Sequence, residues 1–227
     1  MSIPAYPTKI YIGITDKCNA NCIMCWRNFY KGEFKDMDEK ILKKISNAFS
    51  VAEEIGWWGD GEIFCCGYLD KIFAYMKEYP DIKHKFSTNG QLLSQYAERL
   101  SNYNICQLII SIDGATEETL STIRKGCHLD KIKEGVVSLY KAFDSKKRTR
   151  PLIYFSFIAM SKNIKELPLL VEMASELGVP IVHVQQFKLF SSLEYLIVDH
   201  EEFSRVFSEA KEMANALGVD LQSEYPI

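Results

Sequence analysis

No stretch of this 227-residue chain approaches the ~20 consecutive apolar residues that crossing a bilayer requires. Residues 1–14 lack both the charged head and the apolar run of a signal peptide. Positive charge is not in excess: 27 Lys and Arg stand against 30 Asp and Glu, a net charge of −3. Nucleic-acid domains usually carry a basic face, so neither a nucleic acid nor a membrane is expected as a partner. The one basic cluster, Lys146, Lys147, Arg148 and Arg150, falls between two periodic segments and reads as a solvated loop. Repeats, low-complexity tracts and linker-like stretches are also missing, which leaves a single domain over residues 1–227 with its core at about 8–221. Disulfides are not needed, because a chain of this size buries roughly three quarters of its unfolded surface. The seven cysteines are odd in number, and three lie within residues 18–25. That pattern fits reduced thiols, a metal site and a cytoplasmic location rather than a disulfide framework.

What is present is alternation. β-branched and aromatic runs predict strands over residues 9–15, 54–58, 84–87, 107–112, 152–159 and 181–186. Apolar residues at helical spacing predict helices over 38–49, 68–78, 92–100, 117–123, 129–142, 164–177 and 201–217. Gly178 and Gly218 stand where two of these helices should end. Strands alternating with helices imply a parallel sheet with helices outside, either an incomplete barrel or an open doubly wound sheet. The strand faces favour the barrel. One face is apolar (Ile10, Ile12, Ile14; Leu108, Ile110, Ile112; Val182, Val184). The other is interrupted by polar groups: Tyr11, Gly13, Thr15; Gln107, Ser111, Asp113; Tyr154, Ser156; His183, Gln185. Helices on the apolar face leave the polar face to line a cavity. The expected fold is therefore α/β, a partial (β/α)6 barrel with parallel strands and outer helices.

Directly after the first strand stands TDKCNANCIMCW, residues 15–26, in which Cys18, Cys22 and Cys25 have the spacing C-x3-C-x2-C. A cubane iron–sulfur cluster is normally held by four cysteines, so three would leave one iron open. Open coordination is also what separates catalytic from structural zinc sites. Other readings stand beside this one: a zinc site, unrelated buried thiols, or a cluster with a remote fourth ligand in Cys65 or Cys66. No His or Cys follows at zinc-finger spacing. Cys106 and Cys127 have no motif around them.

The loop resembles the signature of the radical S-adenosylmethionine (radical SAM) superfamily, with Met24 in place of the usual aromatic residue before the last cysteine. Three further segments resemble the family at successive strand ends. Gly59, Asp60, Gly61 and Glu62 resemble the segment that holds the methionine amino group, with Ile63 where Pro is usual. Thr88, Asn89 and Gly90 resemble a second, and Ser111, Asp113 and Gly114 a third, suited to hydroxyls and the methionine carboxylate. Arg124 resembles an arginine near that carboxylate, and Gln185 lies near the end of the sixth strand. In β/α barrels the C-terminal strand ends are where chemistry is built.

The resemblance implies a [4Fe-4S] cluster on Cys18, Cys22 and Cys25, with S-adenosylmethionine bound by Gly59, Asp60, Gly61, Glu62, Asn89, Ser111, Asp113, Arg124 and Gln185. It implies an electron donor such as flavodoxin or ferredoxin, and a radical that abstracts hydrogen from a peptide side chain. The core is similar to members that carry cysteine-rich C-terminal extensions of the SPASM or twitch type; no cysteine follows Cys127, so that extension is expected to be absent. Two alternatives remain at this point: the same chemistry on a small metabolite such as an alcohol, and a non-catalytic cluster-binding or zinc-binding protein.

Overall fold

The computed structural model describes residues 6–188 and 192–224. Six strands form where the alternating runs lie and a seventh follows them in the same sheet: β1 (Lys9–Gly13), β2 (Glu54–Trp58), β3 (Lys83–Thr88), β4 (Ile105–Ser111), β5 (Leu152–Ala159), β6 (Ile181–Gln186) and β7 (Asp220–Ser223). All neighbouring pairs in this sheet are parallel, and spatial order follows chain order from β1 to β7. The order never reverses, so there is no switch point of the kind that defines a doubly wound sheet. Crossovers of one hand then put every helix on the same side. β1 and β7 are not paired with each other, and the barrel stays open between them.

The helices are α1 (Glu39–Ile45), α2 (Leu69–Glu78), α3 (Leu93–Leu100), α4 (Glu117–Ile123), α5 (Leu129–Ser145), α6 (Leu167–Glu176) and α7 (His200–Leu217). Their apolar stripes close the core. In α2, Leu69, Ile72, Phe73 and Met76 are buried, and full burial of such side chains stabilises by ~1.5–3 kcal/mol each. The sheet supplies the opposing surface with Ile12, Ile55, Trp57, Phe86, Leu108, Ile110, Ile153, Phe155, Val182 and Val184, all buried. The other face stays open: Ser87, Ser111, Tyr154, His183 and Gln185 are only partly buried, and Tyr11 is 53% exposed, stacked on Trp58 at 4.8 Å.

Three features differ from the sequence expectation. β7 is a seventh strand, paired with β6 from Asp220 to Ser223 and added to the six of the expected barrel; Leu221 is its single buried residue. The first predicted helix stops at Ile45 and continues as a 3-10 turn, Ser46–Val51. The predicted 164–177 helix begins with a 3-10 turn, Ile164–Glu166, and becomes α-helical where Pro168 fits the first turn. The basic loop is engaged locally: Lys146 pairs with Glu98, Arg150 pairs with Asp144, and Arg148 donates to the Ser101 carbonyl.

Candidate functional site

The cysteine loop leaves β1 and is clamped at its base by Asp36. That carboxylate accepts from Thr15 Oγ1 (2.7 Å), Lys17 Nζ (2.7 Å) and the Gly67 amide (3.2 Å). These donors hold the Asp36 carboxyl below its usual range against the opposing effect of burial, the largest single influence. After Cys25 the chain makes one 3-10 turn, Trp26–Asn28, and Asn28 Nδ2 donates back to the Cys22 carbonyl at 2.8 Å.

The loop after β2 docks on the cysteine loop through its backbone. Gly61 N donates to Thr15 O at 3.1 Å, and Glu62 N donates to Lys17 O at 2.8 Å. A Cβ on Gly61 would lie 2.2 Å from the Lys17 carbonyl oxygen, so glycine is what lets the two backbones meet. Glu62 is 2% exposed. It accepts from Thr88 Oγ1 (2.7 Å), Asn89 N (2.6 Å) and Phe64 N (3.4 Å). Burial pushes its carboxyl up to about 7, with these donors opposing the rise. Glu62 thus braces the end of β3 while lining the cavity. Asn89 carries the brace onward, with Nδ2 at 2.7 Å from Asn19 Oδ1 and 3.7 Å from Cys18 Sγ.

A short antiparallel ribbon, unforeseen in the sequence, pairs Asn21–Cys22 with Arg124–Lys125. It brings Arg124 Nη1 to 3.8 Å from Cys22 Sγ, across 102 residues of chain. Asp113 lies beneath, fully buried, with Oδ1 accepting from Ile158 N at 2.7 Å. Its Oδ2 sits 2.7 Å from Arg124 Nε, an ion pair. Burial pushes the Asp113 carboxyl up and Arg124 pulls it back, while Asp113 holds Arg124 still more firmly protonated. A guanidinium does not lose its proton, and the pair stands ionised. Asp113 therefore holds Arg124 from beneath.

These loops enclose a cavity of about 160 Å³. Cys18, Cys22, Cys25, Gly59, Asp60, Gly61, Glu62, Asn89, Ser111 and Arg124 line it, and Asp113 and Gln185 do not. Gln185 is partly buried on the open face of β6, beside Ile158 of β5. Arg27 and Thr88 also line the cavity; the sequence reading gave neither a role. Larger hollows lie elsewhere, one of about 450 Å³ at the opposite strand ends near Lys9, Glu53 and Lys83. That hollow has no thiol, and the chemistry selects the cysteine cavity.

The donors present suit an iron–sulfur cluster. All three cysteines are free and partly buried. Burial raises the thiols of Cys18 and Cys22, with Ala20 N–H and Arg27 opposing at Cys18 and Arg124 at Cys22. Metal must therefore displace protons to bind. N–H donors already point at sulfur: Ala20 N lies 3.4 Å from Cys18 Sγ, beside the Asn89 and Arg124 contacts. Such hydrogen bonds are among the groups that set a cluster's potential. Among the described residues no three His, Cys, Asp or Glu side chains gather around one ion. A cubane does not ask for that, since each thiolate takes a different iron. Met24, in the usual aromatic position, packs beside a small second core of Ile123, Met160, Phe187, Leu193 and Leu196, which seats the cysteine loop against the segment after β6.

An open parallel barrel whose C-terminal strand ends surround a thiol-lined cavity is the class that fold and site define. Residues 12–155 match the radical SAM superfamily, and the chain belongs to that family. Enzymes of the family use a [4Fe-4S] cluster and S-adenosylmethionine. A protein of Methanocaldococcus jannaschii named "Probable GTP 3',8-cyclase" is 28% identical over 211 residues, 91% of this chain and 67% of that one. A protein of the same name from Methanococcus maripaludis is 22% identical over 191 residues, 83% of this chain and 62% of its own length. The chain thus spans about three fifths of that relative. Streptococcus suis SuiB, solved with S-adenosylmethionine, shares the fold at a TM-score of 0.72 and 14% identity, covering 97% of this chain and 51% of SuiB.

Proposed function

We propose that this chain acts on a peptide side chain, abstracting hydrogen with the 5′-deoxyadenosyl radical that a [4Fe-4S] cluster and S-adenosylmethionine supply when bound. The observation that carries the reading is the cavity itself, where three free thiols meet the ends of β2, β3 and β4. Cys18, Cys22 and Cys25 would hold the cluster. Gly59, Asp60 and Gly61 would offer backbone and carboxylate acceptors to the methionine ammonium. Ser111 and Arg124 would take the carboxylate or a ribose hydroxyl, with Asp113 holding Arg124 in place. The open sheet face, with Tyr154, His183 and Gln185, would receive the substrate. Support for a peptide comes from SuiB, which has also been solved bound to its precursor peptide SuiA. The electron would come from a flavodoxin or ferredoxin. Among the described residues no helix is long and apolar enough to cross a membrane.

A small-molecule substrate is the second reading, favoured by the name of the Methanocaldococcus relative. Anaerobic reconstitution tests both. The expected result is four irons and four sulfides per chain and reductant-dependent release of 5′-deoxyadenosine. Cys22→Ala is expected to abolish that release while the far-ultraviolet circular dichroism stays unchanged. Normal release from that variant, or one bound zinc in the wild type, overturns the assignment. Consumption of GTP in the absence of any peptide would move the substrate to the second reading.

A further inference from the structure

The three thiols share their cavity with two guanidinium groups, Arg27 and Arg124. The two are held in different ways. Arg124 has a counter-charge in Asp113, 2.7 Å away. Arg27, two residues after Cys25, is held by neutral groups alone. Its Nη1 donates to the Ala20 carbonyl at 3.1 Å, and its Cζ lies 4.3 Å from the centre of the Phe34 ring. Trp26 and Tyr30 pack against that ring at 6.4 and 5.7 Å, forming a shelf that fixes the cation on the cavity wall. Its Nε is buried with no hydrogen-bond partner. No ion pair to a carboxylate is formed by Arg27 among the described residues.

A cation kept partly out of water without a counter-ion is costly unless something in the site compensates it. It shares the cavity wall with the thiols of Cys18, Cys22 and Cys25. An iron–sulfur cluster on three thiolates carries net negative charge, and its potential depends on the charge and hydrogen bonds around its sulfurs. A fixed cation at that wall favours the more negative, reduced state. Taking the cluster reading of the preceding section as its basis, we propose that Arg27 is a positioning residue that supplies the counter-charge of the cluster and raises its reduction potential. Its hydrogen bond to Ala20, between Cys18 and Cys22, holds the charge at that place.

Two substitutions separate charge from mere stapling of the loop. Arg27→Gln keeps an N–H donor and removes the charge. Arg27→Lys keeps the charge and loses the planar fork. Each reconstituted protein is titrated anaerobically with dithionite, without S-adenosylmethionine, and the one-electron midpoint is read from the reduced-state electron paramagnetic resonance signal. Iron and sulfide content is measured alongside. Arg27→Gln is expected to shift the reduced-to-oxidised ratio about tenfold toward the oxidised state, ~59 mV for one electron. Arg27→Lys is expected to stay within about threefold of the wild type. An unchanged midpoint in Arg27→Gln, or an equal fall in both variants, overturns the proposal. If Arg27→Gln loads poorly, the Lys variant decides alone, and a wild-type-like midpoint is required of it. A wild type that takes up no iron refutes the cluster reading itself, a result distinguishable from the others by the metal analysis.

Discussion

The ends of β2 and β4 each carry a buried carboxylate, Glu62 and Asp113, and the chain satisfies them differently. Glu62 receives only neutral donors, from Thr88, Asn89 and Phe64. Asp113 receives an amide and a guanidinium. The consequence is electrostatic. Neutral donors in a low-dielectric site do not fully offset the cost of a charge, so the Glu62 carboxyl titrates near 7. A guanidinium in contact fixes the charge instead. One wall of the cavity is thus able to take up a proton near neutral pH, and the other is locked as an ion pair.

The largest expected effect comes from breaking the locked wall. Asp113→Asn leaves the Arg124 guanidinium buried without its counter-charge, and losing one member of a buried pair costs ~3–5 kcal/mol. Urea denaturation at pH 7 is the measurement. A loss under ~1 kcal/mol would show that water or Cys22 compensates Arg124 and that the pair is not the anchor described.

The titratable wall makes a different prediction. The Glu62 carboxyl has an ordinary value of 4.5 and a folded value of about 7. Below about pH 4.5 both folded and unfolded chains hold the proton, and its contribution to stability is complete. Between 4.5 and 7 the unfolded chain has lost the proton that the folded chain keeps, so stability falls as pH rises. Above about 7 the contribution, ~3 kcal/mol, is gone. Glu62→Gln cannot titrate and should lack this fall. The difference in unfolding free energy between wild type and variant, followed from pH 4.5 to 7.5 in the metal-free protein, is expected to move by about that amount. A difference that stays constant with pH would mean that Glu62 is ionised throughout.

The same two carboxylates show how far the sequence could be read. Residues 152–159 and 181–186 were legible to the residue because each is a sustained alternation. Glu62 and its glycines were legible because their chemistry is contiguous; the bonds Glu62 accepts from Thr88 and Asn89 were not, because they join two separate strand ends. Asp113 was legible as part of a strand-end segment, but its ion pair with Arg124 was not, because β4 ends at Ser111 and beyond a strand's last residue period-two alternation no longer says where a side chain lies. Gln185 lies within β6, yet two strands from β4 across the sheet, a distance that local pattern cannot express. The Cys22–Arg124 approach depends on a ribbon joining residues about a hundred positions apart, and only the family resemblance hinted at it. Arg27 had a sequence signal in its position two residues after Cys25, but no periodicity to single it out.

The smallest expected effect tests whether the cavity and the C-terminal part of the barrel are energetically separate. Asp199 caps α7, accepting from Glu201 N at 2.9 Å and Glu202 N at 3.1 Å. Asp199→Ala should cost ~1 kcal/mol, the usual loss for a capping carboxylate. α7 packs on α6 and β7, and it shares no partner with Glu62 in the hydrogen bonds that hold either residue. The double variant Asp199→Ala with Glu62→Gln should therefore match the sum of the two single changes within ~0.3–0.5 kcal/mol at each pH. A larger coupling, or a change in the pH dependence from Asp199→Ala alone, would mean that the helix end and the cysteine cavity respond as one unit. The contrast between the titratable and the locked wall would then be a property of the whole barrel rather than of two strand ends.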